Sequence, residues 1–370
     1  MKNIIGYVET EMKPFKEKPF CAVDSLVLAQ LSYVRFEQLV PTLSRWSKPV
    51  RFADLLCAEH FGFMFCGHNG ENNRALLFAL AASPRFRTIA INYYVSKTDA
   101  KREQQFSAVT FLLDDGSAYI AFRGTDSTFV GWKEDFNMAY ITPVPSQTEA
   151  AAYLSAAASL LPRSVRLKVG GHSKGGNLAV YAAMKCKPAV QDRITQVFSH
   201  DGPGFREELL LSPEFGRIES RIHKTLPQSS LIGMLLHDHE RYTIVESNRM
   251  GGIMQHDPFS WSVGDGGFVE LEKMSASATL MNRSLDQWLS SLSDERRKMF
   301  VDALFQVLEG TDASTFSELT GSWRKGAGLV LDSIRSIDTE TRKFVSETIA
   351  QLVRVSVKNL LQKPEKAEIS

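Results

Sequence analysis

Residues 171–175 read Gly-His-Ser-Lys-Gly and match G-x-S-x-G, a spacing in which serine can be the nucleophile of an acyl transfer. Such a serine sits on a sharp turn at a strained backbone angle, where side chains two residues to either side would strike the adjoining strand and helix. Glycine removes both collisions. The bare pattern arises by chance in roughly one chain in ten of this length, so its flanks carry the reading. VRLKV (165–169) is a strand pattern, and NLAVYAAMK (177–185) is a helix pattern with small residues facing the turn. A helix starting there turns its free N–H groups and partial positive charge toward an oxyanion formed at Ser173.

Acyl transfer also needs a second oxyanion donor, a base and an orienting acid. SAYIAFRGTDST (117–128) ends a strand pattern in Arg123-Gly124-Thr125, where glycine lets backbone approach substrate closely. Thr125 N–H and Lys174 N–H are the expected donors. Of the histidines, His172 is turned by alternation away from the pocket and reads as packing, while His237 and His239 lie in a charged turn as solvated or capping residues. His256, after the last strand and a glycine pair, is the expected base. Asp201 in FSHDGPGF, at a carboxyl end of the sheet, is the first candidate acid, and an Asx turn before Gly202-Pro203 is its rival reading. Asp238, Glu240 and Asp257 stay open. The Lys174 side chain reads as outward-pointing, or else as a bias toward anionic substrates.

The surrounding elements must hold these residues together. Residues 1–61 read as a largely helical lead-in, with SLVLAQLSYV (25–34) apolar at three-to-four spacing and Asp24 as its N-cap. RALLFALAAS (74–83) is a short helix. RTIAINYYV (87–95), QFSAVTFLLD (105–114) and SAYIAFRG (117–124) are β-rich, the last two flanking the hairpin turn Asp115-Gly116. Strands at 165–170, 194–199, 219–225 and 241–246 then alternate with helices at 147–160, 175–187 and 205–210. Alternation of this kind calls for an α/β fold with a mostly parallel sheet, helices on both faces and an antiparallel hairpin at its beginning.

After residue 265, SLDQWLSSL, DERRKMFVDALFQVLEG, GLVLDSIRSI and RKFVSETIAQLVRVSVKNLLQ are amphipathic at helical spacing, which implies a helical C-terminal subdomain. The expected organisation is a helical segment 1–75, a core 76–265 and the helical part 266–370.

The 370 residues carry 43 basic and 42 acidic side chains, a net charge of +1 with no footprint for nucleic acid or an anionic membrane. Acidic residues interrupt MKNIIGYVETEMKPF before a secretory signal could form, and no apolar run is long enough for stable membrane insertion. Cys21, Cys57, Cys66 and Cys186 show no CxxC or disulfide-dense spacing, so unpaired thiols and a cytoplasmic protein are expected.

AFRGTDST with GWKEDFN, GHSKGGNLAVYAA, FSHDGPGF, PQSSLIGMLL and MQHDPFSW, in that order, resemble the lipase class 3 branch of the α/β hydrolases. Within it they are similar to a bacterial group classed as a domain of unknown function, and FCAVDSLVLAQLSY (20–33) also resembles that group's opening. The resemblance covers most of residues 20–265. It implies Ser173 as nucleophile, His256 as base, and Thr125 and Lys174 as oxyanion donors. It departs at PQSSLIG, where class 3 lipases carry their acid and this chain has Ser230. Either Asp201 orients the histidine or a dyad works alone.

These readings converge on a serine esterase that needs no cofactor or metal and cleaves small-molecule or lipid esters, acylglycerols among them, with the oligomeric state open. An amidase or thioesterase on the same scaffold is one rival. A non-catalytic interaction protein that keeps the fold is the other. LIGMLL, Phe259 and Trp261 line an acyl pocket in the functional reading and belong to the core in the structural one.

Overall fold

Along the strand Ala118–Phe122, alternate side chains serve two different cores. Ala118, Ile120 and Phe122 pack with the helices Pro145–Leu160 and Lys174–Lys185, while Tyr119 and Ala121 pack with the N-terminal helices. Period-two alternation with both faces apolar is what a sheet covered on both sides requires. The computed structural model describes residues 2–126, 128–237, 241–309 and 338–361.

Nine strands form one sheet in sequential order: β1 Val50–Arg51, β2 Ala90–Asp99, β3 Gln104–Leu112, β4 Ala118–Phe122, β5 Leu167–His172, β6 Ile194–His200, β7 Ile222–Pro227, β8 Tyr242–Val245 and β9 Glu270–Leu271. The pairings from β4 to β8 are parallel, and those from β1 to β4 and from β8 to β9 are antiparallel. The fold is α/β, with a parallel centre and antiparallel margins. β3 and β4 form the hairpin around Asp115-Gly116, where Asp115 accepts from the Ser117 N–H at 2.8 Å.

Among the described residues, helices of seven residues or more are α1 Ile4–Thr10, α2 Ala22–Leu31, α3 Gly70–Ala82, α4 Phe129–Asn137, α5 Pro145–Leu160, α6 Lys174–Lys185, α7 Ala276–Ser290, α8 Asp294–Glu309 and α9 Thr339–Leu361. α2 packs against β5 and β4 on one face of the sheet, and α5 and α6 cover the other. The chain divides into two compact units, Met1–Met274, which holds the whole sheet, and Ser275–Ser370. Within the second, Trp288 of α7 donates its indole N–H to the Thr348 carbonyl of α9 at 3.0 Å.

The N-terminal segment is less helical than its pattern implies, with turns and irregular backbone from Tyr33 to Pro49. Asp24 is not an N-cap either. Cys21 holds that place, and Asp24, three residues on, accepts from the Cys21 N–H at 2.9 Å. Its carboxylate is shared with fully buried Arg85 at 2.6 Å and with the Tyr7 hydroxyl at 3.0 Å, so tertiary partners set its role. The sequence reading also lacks α4 (129–137), which follows the RGT loop directly. GLVLDSIRSI lies outside the described residues. No helix among those described is long and apolar enough to cross a membrane.

Candidate active site

β5 runs straight into α6, and Ser173 between them has φ 59° and ψ −134°, strained for a residue with a side chain. Its N–H donates to the His200 carbonyl at 2.9 Å, tying the turn to β6. The strain persists because the flanking backbones close on it. A Cβ added to Gly175 would lie 2.1 Å from the Phe122 carbonyl oxygen, and one on Gly171 2.3 Å from the Gly175 carbonyl carbon. Both glycines are therefore sterically required, and they seat the elbow against the end of β4.

That end continues into the RGT loop. A Cβ on Gly124 would meet the Tyr33 hydroxyl at 2.1 Å and the Ser173 Cβ at 3.1 Å, so the loop lies directly against the serine. The Lys174 N–H opens α6 and lacks an intrahelical acceptor, as all first-turn amides do. Thr125 comes one residue after the close approach, and its hydroxyl donates to Asp135 Oδ2 on α4.

His256 follows a short helical turn, Gly252–Gln255. Its Nδ1 lies 2.6 Å from Asp201 Oδ2, and its side chain keeps 18% of its surface exposed while Asp201 keeps 1%. Asp201 directly follows β6 at φ 49°, a left-handed backbone that aspartate tolerates. The other oxygen of its carboxylate accepts from the Ser230 hydroxyl and from the Gly233 N–H at 3.1 Å. Ser230, the residue in the class 3 acid position, therefore serves as a donor to a carboxylate carried by the neighbouring strand. The Ser173 hydroxyl makes no hydrogen bond among the described residues.

The other candidates are placed elsewhere. Asp257 caps the Phe259 N–H, pairs with Arg249 at 3.1 Å and accepts from Asn69 at 3.1 Å. His237 is exposed and bridges to Phe205. Asp238, His239 and Glu240 lie outside the described residues. Phe259 and Trp261 belong to the core on the α2 side of the sheet.

Two residues play parts that the sequence hides. His172, read as packing, is buried, and its ring lies 4.5 Å from that of His256, between centroids. Its Nε2 lies 2.8 Å from the His256 carbonyl oxygen and its Nδ1 3.4 Å from the Tyr33 hydroxyl. Burial, and then the neighbouring His256, holds its imidazole well below the ordinary range.

Lys174 overturns its reading as an outward-pointing residue, since its side chain is fully buried. The ammonium donates to the Gln105 carbonyl at 2.9 Å, Gln105 Oε1 at 3.2 Å and Glu134 Oε2 at 3.1 Å, so all three N–H groups are satisfied. Glu134 and Asp135, both within GWKEDFN, are the site's missed residues. The signal for them was that motif's two adjacent carboxylates directly downstream of the RGT loop. Asp135 is pushed up to about 6 by burial, against the lowering pull of Lys174 and the Thr125 hydroxyl. Among the described residues no group of three or more His, Cys, Asp and Glu could hold a metal ion.

A family model described as Mbeg1-like, of a lipase-class-3-like family, matches residues 80–306. No curated protein matches the sequence. Solved structures that are similar include two of a lipase propeptide complex. One, titled "Rhizomucor miehei lipase propeptide complex, native", is 16% identical over 60% of this chain and 66% of that one, with a TM-score of 0.37. The other, titled as a deletion mutant of that complex, is 15% identical over 47% and 58%, with a TM-score of 0.33. The chain spans just under two thirds of the first and less of the second.

Proposed function

Because the chain belongs to the Mbeg1-like family, whose kinship is with lipase-like hydrolases, we propose that it is a serine hydrolase cleaving carboxylic esters through an acyl-enzyme. One observation carries the reading: the 2.6 Å contact between His256 Nδ1 and Asp201 Oδ2, next to a serine on a strained elbow.

In the proposed cycle Ser173 Oγ attacks the ester carbonyl while His256 Nε2 takes its proton. Asp201 accepts the Nδ1–H, which keeps the reactive lone pair on Nε2 and stabilises the imidazolium once it forms. The carbonyl oxygen gathers negative charge between the Thr125 and Lys174 N–H groups. His256 then returns the proton to the departing alcohol, and water, deprotonated by the same imidazole, releases the acid. The Ser173–His256 hydrogen bond closes with substrate in place, as is common in this chemistry. Acylglycerols and other lipid esters are the proposed substrates, and the cytoplasm the proposed place of action, to which the free Cys21, Cys57, Cys66 and Cys186 lend support.

A fluorophosphonate probe tests the reading. Folded wild-type protein labels, and Ser173→Ala does not; labelling that survives the substitution would overturn the assignment. A panel of p-nitrophenyl esters, acyl-CoA and amides then separates esterase from thioesterase and amidase. The open Ser173 hydroxyl favours a second reading, a non-catalytic protein on the same scaffold, and absence of labelling in the wild type would select it.

A further inference from the structure

Lysine at the first position of α6 is an expensive choice. A buried ammonium needs compensation, and this one is fully covered beside the nucleophile. Its partners explain the placement. Glu134 Oε2 accepts from the Gln105 N–H at 3.0 Å and the Ser146 hydroxyl at 2.7 Å, and Glu134 Oε1 from the Ser146 N–H at 2.8 Å. One carboxylate thus fastens β3 to the start of α5, and Lys174 adds the start of α6. The adjacent Asp135 Oδ1 stands 3.7 Å from the ammonium with no hydrogen-bond partner among the described residues, while Oδ2 takes the Thr125 hydroxyl. The same ammonium lies on the residue whose N–H is one oxyanion donor and faces the carboxylate that holds the residue supplying the other.

We propose that Lys174 is a positioning residue that acts through Asp135 to hold Thr125 and its N–H in register with the elbow, so that the two oxyanion donors are set by one buried cluster. The inference rests on the hydrolase reading above. An oxyanion hole works only if its donors are already in place when charge develops. Hydrogen bonding by Thr125 to an ionised Asp135 provides that, and the ammonium keeps the carboxylate ionised in a buried setting. The charged and titratable groups acting on Asp135 are Lys174 on α6, Glu134 on α4 and His256, with the Tyr33 phenol from the N-terminal segment also sensing its charge.

The test uses the full chain and four variants. Asp135→Asn keeps the Lys174–Glu134 pair and removes only the charge that holds Thr125. Lys174→Met removes the ammonium, and Lys174→Met/Glu134→Gln removes both members of the pair, for use if the single variant does not fold. Substrate is a p-nitrophenyl ester, and fluorophosphonate labelling is followed in parallel. The expected result is a kcat lowered roughly 10- to 100-fold with KM within about twofold, less than the roughly 10²- to 10³-fold of losing one oxyanion donor outright, because the Thr125 N–H is misplaced rather than removed.

The pH profile separates positioning from mere support. Lysine's lowering of Asp135 outweighs glutamate's raising, so the acid limb of kcat/KM moves to higher pH in both lysine variants. In Lys174→Met/Asp135→Asn that upward move disappears. Folded variants with wild-type kcat, or a kcat loss with an unmoved acid limb, overturn the inference while leaving the hydrolase reading intact. A wild type that neither labels nor turns over ester overturns both.

Discussion

His172 donates its Nε2–H to the main-chain carbonyl of His256 at 2.8 Å. The carbonyl only accepts, and burial keeps the imidazole neutral, so the proton belongs on Nε2 and Nδ1 is left to receive the Tyr33 hydroxyl. The residue before the serine therefore grips the backbone of the proposed base. His172→Phe keeps a ring at that place and removes the bond. Ester turnover by the variant is expected to fall about tenfold in kcat, the equivalent of one lost hydrogen bond, with KM little changed. An unchanged kcat would mean that the grip is idle.

Asp201 has its two carboxylate oxygens divided between His256 on one side and Ser230 with Gly233 on the other. Asp201→Asn is expected to lower kcat by up to ~10⁴-fold, the range known for a lost orienting carboxylate. Ser230→Ala, which leaves the carboxylate but removes a donor, should cost about tenfold. Both are read by steady-state kinetics normalised to titrated active sites. If Asp201→Asn retains full activity, the acid lies elsewhere.

Gly175→Ala places a methyl group 2.1 Å from the Phe122 carbonyl oxygen, a clash with backbone that no rotamer relieves. Overpacking of this kind costs about 3 kcal/mol and moves the elbow. Urea unfolding should report the loss, and fluorophosphonate labelling should slow in whatever fraction stays folded. Gly216→Ala, with nothing within 4 Å of the added carbon, serves as the control and should unfold like the wild type.

Two buried histidines make stability depend on pH in a definite direction. His200 is held down to about 3 by burial and then by His223, and burial likewise keeps His172 neutral. In the unfolded chain both titrate near 6.5. Below that pH the unfolded state binds protons that the native state refuses, so their stabilisation is complete above about 6.5 and is lost as pH falls toward 3. At pH 5 the loss from His200 alone is about 2 kcal/mol. Urea midpoints at pH 7.5 and pH 5 measure it, and His200→Gln should flatten the difference.

The helices and strands of the central sheet were legible in the sequence because their signals are local. Period-two runs at 105–114 and 117–124 and the Asp115-Gly116 turn specify a hairpin whatever the rest of the chain does. The elbow was legible as a short pattern too, although the contacts that demand glycine at 171 and 175 come in part from Phe122 at the end of a strand distant in sequence. Less legible were 1–61, where apolar spacing mimics helix but the side chains are fixed by distant partners such as Arg85. The helix 129–137 was also hidden, because its buried Glu134 looks like a surface charge until its partners are known.

By itself the sequence determined an α/β sheet with a serine on a glycine-flanked turn, a nearby RGT loop and a histidine after the last parallel strand. Only the tertiary structure decided which carboxylate meets His256, that Ser230 donates to it, that His172 holds the backbone of His256, and that Lys174 points inward. The physical reason is range. Turns and alternation are settled within a few residues, whereas the partner of a buried charge is chosen by burial, and Asp201 lies 55 residues from His256 and Glu134 40 from Lys174.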